Sequence, residues 1–314
     1  MMRIIFMGSA EFACHSLERL LQSDACEVVA VVTQPDRPQG RNLAVAGCPV
    51  KQYVGERGIP ILSPVNINRP ENLEILRGLA PDLMVVVAYG QILKPDLLAI
   101  PAMGCINVHG SLLPKYRGAA PIQWAIASGE KVTGVTTMFI NERMDAGDII
   151  LKRELSIAPD DTGGMLHDSL ARVGAELLGE TVGLLLAGKA PRQPQDESMA
   201  TYAPKLSKSD GRMDWTLPAE TLHNRVRAFN PWPGCCCELS NGSKMRIKIL
   251  TARVEAAASG KPGTILDVDG DGLLVKAGGG NALRLIEVQP EGRPVMSGAA
   301  FLRGRNIKIG MELL

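Results

Sequence analysis

The chain has 314 residues, of which 46% are hydrophobic and 21% are charged, and its formal net charge is +1. This composition excludes a disordered chain, and the length exceeds what one hydrophobic core usually supports, so we expect two domains. Seven cysteines without a CxxC spacing argue against a disulfide framework or a zinc site, and we expect no metal.

Short apolar strands alternate with helical patterns in the first part of the chain. The strands are predicted at 3–8, 27–33, 83–88 and 105–108, and helices are predicted around 49–57 and 71–79. This alternation predicts an α/β fold with a doubly wound, mostly parallel sheet. Such sheets bind ligands at the carboxyl ends of their strands. Neither GxGxxG nor GxxxxGK[ST] occurs, so neither a dinucleotide nor ATP is predicted as the ligand.

The amino terminus reads as the first strand and not as a signal peptide. Arg3 lies inside its apolar run, and no small-residue cleavage site follows. No apolar run reaches the roughly 18 residues that cross a bilayer. We expect a cytoplasmic protein that has no membrane segment and is a monomer.

A domain boundary is predicted after a long apolar helix at 165–187. Residues 1–188 form the front domain, the polar and proline-interrupted stretch 189–207 is a linker, and 208–314 form the back domain. A helix is expected at 219–228, and short β-rich runs separated by Asn-Gly and Asp-Gly pairs then predict a small barrel or sandwich. The back part of the chain has a positive net charge, because residues 206–314 hold 15 Lys+Arg against 11 Asp+Glu.

Asn107 and His109 are candidates for chemistry because they come at the end of an apolar strand. They are two residues apart, so on an extended backbone both side chains point the same way. An alternative is that both cap the strand end and bond to backbone groups. Asp145 follows a strand predicted at 135–140, in a place where aspartate most often forms a turn.

Residues 111–124, SLLPKYRGAAPIQW, form a loop of small residues that leads into a helix. Small residues allow a ligand to approach the backbone closely, although Gly118 and its neighbours could also serve helix packing. With Asn-x-His before it and Asp-Ala-Gly after it, this run resembles the signature of the folate-dependent formyltransferases. Runs at 33–41, 201–208 and 227–234 are similar to the branch that acts on methionyl-tRNA. The likeness covers almost the whole chain.

The resemblance implies a Rossmann-like front domain, an OB-like β-barrel behind it, and a catalytic trio of Asn107, His109 and Asp145. The implied reaction transfers the formyl group of 10-formyltetrahydrofolate to the α-amine of initiator methionyl-tRNA. Asn107 and His109 would stabilise the oxyanion, and Asp145 would accept the amine proton. The implied folate pocket consists of Tyr89, Gly90, Ile92, Leu93, Ser111, Leu112, Leu113 and Pro114. For Ile92 and Leu93, core packing is the alternative.

The same resemblance places tRNA against the loop at 36–50, where Arg41 matches the key basic position. The chain departs from the family here, because the residues after Arg41 are nearly uncharged. In the back domain, tRNA contacts are implied for Lys205, Lys208, Arg303 and Arg305. A wider basic face would add Arg225, Arg227, Lys244, Arg246, Lys248 and Lys308.

Two other kinds of function remain open at this point. The same folate chemistry could act on an amino-sugar nucleotide, or on water in a formyl-folate hydrolase. A protein that binds tRNA without catalysis is the alternative from another class.

Overall fold

The computed structural model describes residues 1–39, 44–55, 57–240, 244–256, 259–269, 271–303 and 307–314. Within them the chain forms two compact units. The first comprises 1–121, 132–156 and 167–203, and the second comprises 122–131, 157–166 and 204–314.

The strands and helices up to residue 203 follow the alternation predicted from the sequence. In chain order they are β1 (Met2–Gly8), α1 (Phe12–Leu21), β2 (Cys26–Val32), β3 (Arg37–Gln39), β4 (Ala44–Ala46), α2 (Pro49–Val54), β5 (Ile61–Leu62), α3 (Pro70–Gly78), β6 (Leu83–Val87), α4 (Pro95–Leu98), β7 (Cys105–His109), β8 (Arg117–Gly118), α5 (Pro121–Ala127), β9 (Val132–Phe139), β10 (Ile149–Ser156), α6 (Gly163–Leu186) and β11 (Tyr202–Ala203).

The first unit is built on a seven-stranded sheet in the order β10-β9-β7-β6-β1-β2-β5. Strands β5, β2, β1, β6 and β7 pair in parallel, whereas β9 and β10 are antiparallel. The chain runs outward from β1 to β5 and then returns to place β6 on the other side of β1. This reversal is the topological switch point at which ligands bind in doubly wound sheets. The predicted fold class is confirmed for this unit.

The central strands are apolar because both faces of the sheet are covered. All five residues of β6 are buried, and Ile4 to Met7 of β1 have no exposed surface. Burial on both faces explains why these strands appear in the sequence as continuous apolar runs and not as alternating patterns.

The second unit is a small antiparallel barrel. Its elements in chain order are α7 (Ala219–Ala228), β12 (Cys235–Ser240), β13 (Lys244–Ala256), β14 (Ile265–Asp269), β15 (Gly272–Lys276), β16 (Asn281–Pro290), β17 (Met296–Ser297) and α8 (Gly298–Leu302). The sheet order is β12-β13-β16-β15-β14, and β17 pairs with β16.

The last residues of the chain close this sheet. Glu238 and Leu314 exchange two backbone hydrogen bonds of 2.8 Å, and the Leu313 amide donates to the Gly263 carbonyl at 2.9 Å. The segment 311–314 thus lies between the two edge strands, β12 and β14, and satisfies backbone groups that an open edge would leave unpaired. The prediction of a small barrel is confirmed.

The three adjacent cysteines of β12 differ in burial. Cys235 and Cys237 are buried, and Cys236 is half-buried and accepts a hydrogen bond from the Arg246 guanidinium at 3.1 Å. No group of His, Cys, Asp or Glu within the described ranges is arranged to hold a metal ion. Across the same ranges, the helices are too short or too polar to traverse a bilayer.

Candidate active site

The site lies at the carboxyl ends of β6 and β7, which are neighbours in the sheet. Their register pairs Val86 with Asn107. After β6 the backbone turns sharply, because Ala88 and Gly90 have positive φ values of 46° and 86°. The turn directs residues 88–93 past the ends of β1 and β2, where the Ser9 amide donates to the Ala88 carbonyl at 3.3 Å and the Gln34 carboxamide donates to the Tyr89 carbonyl at 3.1 Å. Both predicted parts of the folate pocket therefore lie on this edge.

Strand β7 carries the first two members of the predicted trio. Asn107 pairs with Met138 and His109 pairs with Thr136 on β9, so both side chains project from the same face. Asn107 is half-buried, and within the described residues its carboxamide forms no hydrogen bond. It is available to donate to a substrate. The alternative that both side chains bond to backbone groups therefore applies to His109, which bonds to the Tyr116 carbonyl, and not to Asn107.

His109 is held by the loop that follows the strand. Its side chain is 6% exposed, and Nε2 lies 2.9 Å from the Tyr116 carbonyl oxygen. Because a carbonyl only accepts, the neutral ring carries its proton on Nε2. Nδ1 lies 3.7 Å from Asp145 Oδ2, which is too long for a direct hydrogen bond. Nδ1 is thus the ring atom that can exchange a proton or bond with a substrate beside the carboxylate.

Asp145 comes to this place from the turn between β9 and β10. The Gly118 amide donates to Oδ2 at 2.8 Å, and the side chain is 16% exposed. The residue has a φ of 48°, a left-handed conformation that aspartate tolerates better than most residues do. Oδ1 accepts no hydrogen bond from the described residues. Asp145 thus presents one tethered oxygen and one available oxygen.

Two glycines make this geometry possible. A Cβ on Gly147 would stand 1.8 Å from the Phe139 carbonyl oxygen, and a Cβ on Gly118 would stand 2.6 Å from the Ala203 carbonyl oxygen. Gly118 also has a φ of 122°. At both glycines the close approach is between two backbone segments of the protein, and the approach of a ligand to the 111–124 run stays a prediction.

The loop after His109 is folded by its own polar groups. Ser111 is fully buried, and its hydroxyl donates to the Lys115 carbonyl at 2.6 Å. Thr136 donates to the Ser111 carbonyl at 2.7 Å and accepts from the Leu113 amide at 3.1 Å. Leu113 is also fully buried, and the Leu113–Pro114 peptide is cis. The side chains of Ser111 and Leu113 therefore stabilise the fold of this loop.

Ile92 and Leu93, which follow β6 and for which core packing was the alternative, differ in burial. Leu93 is buried in the core, whereas the Ile92 side chain is 83% exposed, so core packing is wrong for Ile92. The backbone amides of Gly90, Ile92 and Leu93 donate to no atom of the described residues. These free N–H groups provide donors for a flat polar ring.

Arg117 and Gln195 belong to the site but were not predicted from the sequence. Arg117 is 1% exposed, and its guanidinium bonds to Gln195 and Glu197. The hydrogen bond from Arg117 holds the pKa of the Glu197 carboxyl below its usual range, and a second one from Arg143 adds to this. Arg117 could have been found because it lies inside the 111–124 run. Gln195 lies in the polar, proline-interrupted stretch 189–207, and no pattern there distinguishes it from its neighbours.

The predicted tRNA contacts lie partly outside the described residues, namely Arg41 and Arg305. Lys205, Lys208 and Arg303 are exposed, and none forms an ion pair within the described part of the chain. Arg227 was wrongly counted in the basic face. It is 6% exposed, and its guanidinium donates to Asn224 and to the Ala158 and Asp161 carbonyls.

Comparison with known proteins identifies the family. The formyl transferase model matches residues 2–182, and the model of the formyl transferase C-terminal domain matches 205–306. A methionyl-tRNA formyltransferase of Geobacter sulfurreducens is 47% identical over 312 residues, which cover 99% of this chain and 96% of the relative. The chain belongs to the methionyl-tRNA formyltransferase family. A relative of the same name from Symbiobacterium thermophilum is 49% identical over 99% of this chain and 94% of its own.

Solved structures share the fold of this family member. The N-formyltransferase from Helicobacter canadensis, in complex with folinic acid and dTDP-3-aminofucose, has a TM-score of 0.68 at 18% identity and covers 91% of this chain and 99% of its own. Phosphoribosylglycinamide formyltransferase from Bacillus halodurans has a TM-score of 0.51 at 27% identity and covers 59% of this chain and 95% of its own. Asn107, His109 and Asp145 lie inside the first matched region, and Gln195 lies between the two regions.

Proposed function

We propose that this enzyme transfers the formyl group of 10-formyltetrahydrofolate to the α-amine of methionine on initiator tRNA, giving N-formylmethionyl-tRNA. The observation that carries the proposal is that Asn107, His109 and Asp145 lie together at the carboxyl end of β7. It occurs in a chain that is 47% identical to a methionyl-tRNA formyltransferase over nearly its whole length.

The reaction moves an acyl group from one nitrogen to another. The amine attacks the formyl carbon, and the C–N bond to the amine forms while the carbonyl oxygen becomes an oxyanion. When the oxyanion collapses, the bond from carbon to N10 of the folate breaks. The amine loses one proton and N10 gains one, so the protein must stabilise one negative charge and carry one proton.

The Asn107 carboxamide is the donor suited to the oxyanion, because it forms no other hydrogen bond among the described residues. One preorganised donor of this kind contributes roughly 10²- to 10³-fold in rate. The available oxygen of Asp145 accepts the amine proton. His109 lies next to the carboxylate and relays or holds this proton at Nδ1, while Nε2 stays bound to Tyr116.

The folate ring is proposed to lie between the turn after β6 and the loop after β7. The free amides of Gly90, Ile92 and Leu93 match the acceptors along one edge of a pterin. The Gln34 carboxamide donates to the Tyr89 carbonyl at 3.1 Å and so supports the turn, and the Tyr89 backbone remains part of the proposed pocket. The structure of the relative with folinic acid is consistent with a folate in this fold.

Contacts to tRNA are proposed for Lys205, Lys208 and Arg303, whose exposed cations are free to meet phosphate. Arg41 and Arg305 remain part of the proposal on the family resemblance alone. An amino-sugar nucleotide is less favoured as the acceptor. The sugar formyltransferase structure is only 18% identical, whereas the tRNA-specific relatives are 46–49% identical.

The test measures the transfer of labelled formyl from 10-formyltetrahydrofolate to three acceptors, namely initiator methionyl-tRNA, a dTDP-linked amino sugar and water. We expect product with the tRNA alone. The Asp145→Asn and Asn107→Ala variants should lose about 10²- to 10⁴-fold in kcat. Asp24→Asn is the matched control, because Asp24 is exposed and lies before the amino end of β2. Formylation of the sugar or rapid release of formate would overturn the assignment of the acceptor.

A further inference from the structure

Residues 193–203 form a strap across the two loops that build the site. At one end, the Gln193 backbone exchanges hydrogen bonds of 2.8 and 3.0 Å with Ile149. At the other end, β11 pairs in parallel with β8, and the Tyr116 amide donates to the Thr201 hydroxyl at 2.9 Å. One end of the strap thus contacts the loop that binds His109, and the other contacts the strand next to Asp145.

Between these ends, the Gln195 carboxamide uses its full hydrogen-bonding capacity. Nε2 donates to the carbonyls of Asp145 and Gly147, both at 2.8 Å. Oε1 accepts from Nε and Nη2 of Arg117 at 3.1 and 2.8 Å. Because the guanidinium only donates and the two carbonyls only accept, the orientation of the amide is determined by its partners.

Arg117 is itself fixed, so it gives Gln195 a rigid base. Its side chain is 1% exposed, and Nη1 and Nη2 donate to Glu197 at 3.1 and 3.0 Å. Glu197 also binds Arg143, which lies two residues before Asp145, at 2.6 Å. The hydrogen bond to Glu197 raises the pKa of Arg117, so the guanidinium stays charged and oriented throughout the usable pH range.

The backbone of Asp145 needs such support. A non-glycine residue with a φ of 48° is held in a sparsely populated conformation, and this persists only where the surroundings impose it. The Gly118 amide holds the carboxylate, and Gln195 holds the two carbonyls on either side of Ala146. These contacts together define where the carboxylate points.

We propose that Gln195 is a positioning residue for formyl transfer, which sets the Asp145 loop by joining two of its carbonyls to buried Arg117. The inference rests on the proposed function in that Asp145 is taken as the reacting carboxylate. A glutamine is required because the position needs two donors and two acceptors at this length. Ionised glutamate supplies no donor, and methionine supplies no donor and only a weak sulfur acceptor.

The experiment compares Gln195→Glu and Gln195→Met with Gln193→Glu in the full chain. Gln193 lies on the same strap, is exposed, and forms no side-chain hydrogen bond within the described residues. A displacement of the reacting group by about 1 Å costs roughly 10²-fold in rate, and this is the loss in kcat expected for both Gln195 variants. KM for folate and for methionyl-tRNA should change little, and Gln193→Glu should match the wild type.

A double-mutant cycle separates positioning from general stability. Gln195→Met is combined with Asp145→Asn, and single turnovers are measured with excess enzyme. If Gln195 acts through Asp145, it should lower the residual rate by less than about threefold in this background. A full 10²-fold loss there, or a normal kcat in the single variants, would overturn the proposal.

Hydrogen exchange of the peptide that spans 143–149 provides a readout that does not depend on activity. Faster exchange is expected in Gln195→Met and not in Gln193→Glu. If the wild type formylates no methionyl-tRNA but the exchange differs as expected, the proposed acceptor is wrong and the structural coupling stands. Unchanged exchange would remove the coupling even if the enzyme is active.

Discussion

Gly147 offers a direct test of how closely the Asp145 turn must pack. In Gly147→Ala the new Cβ would stand 1.8 Å from the Phe139 carbonyl oxygen, a backbone atom that cannot rotate away. Real Cβ atoms essentially never come closer than 3.0 Å, so the turn has to retreat by about 1.2 Å. Gly147 lies only two residues from the proposed catalytic carboxylate, so this retreat should reach the reacting group.

The displacement also breaks the hydrogen bonds that flank the glycine. Gln195 donates to the Gly147 carbonyl at 2.8 Å, and the Phe139 amide donates to the Asp148 carbonyl at 2.9 Å. Lengthening either by about 1 Å removes it, and at about 1 kcal/mol each the loss of stability is roughly 2 kcal/mol. The carboxylate moves with the turn, so kcat should fall by roughly 10²-fold.

The assay is formylation of methionyl-tRNA at saturating folate, together with thermal unfolding to show that the variant is folded at the assay temperature. Gly183→Ala in α6 is the control. A Cβ there meets nothing within 4 Å, and alanine in a helix should stabilise by about 0.5–1 kcal/mol. A kcat in Gly147→Ala within about threefold of the wild type would refute the link between turn placement and rate.

Three further results are expected. Lys205→Ala and Lys208→Ala should each reduce the dependence of log tRNA affinity on log salt by about 0.7–0.9, and an unchanged slope in both would remove these lysines from the phosphate contacts. Burial first, and then the charge of Arg227, lowers the pKa of His223, so this residue contributes stability that is present above its usual pKa and lost as pH falls towards its folded value. Urea unfolding between about pH 7.5 and pH 5 should therefore vary less in His223→Gln, and an equal dependence would contradict this. Burial raises the pKa of Cys105 and of Cys235 to about 12, so neither should react with iodoacetamide at about pH 8 before unfolding, and alkylation of the native protein would show that they are accessible.

Local patterns were enough to predict the elements of the fold. The runs at 83–88 and 105–108 are apolar because both faces of the sheet are covered, and the observed strands Leu83–Val87 and Cys105–His109 differ from the predicted ones by one residue. The helix at 219–228 was predicted with its observed bounds. Burial and periodicity act over a few residues, so each such element can be recognised within its own stretch of sequence.

The family signature brought Asn107, His109 and Asp145 together as a prediction, and the structure describes how they are held. His109 depends on the carbonyl of Tyr116, seven residues away, and the Asp145 carboxylate depends on an amide 27 residues away. A hydrogen bond to a distant backbone group requires no particular side chain at that distant position. The sequence therefore contains no signal for such a contact.

By itself, the sequence determined the α/β alternation, the small barrel that follows it and the residues that resemble the formyltransferase signature. Only the tertiary structure revealed that Arg227 is buried, that Ile92 is exposed while Leu93 is not, and that residues 311–314 close the barrel. It also joined Gln195 to Arg117, 78 residues apart. Burial and pairing of a polar group depend on which distant segments pack around it, and this is decided when the chain folds and not by the residues beside it.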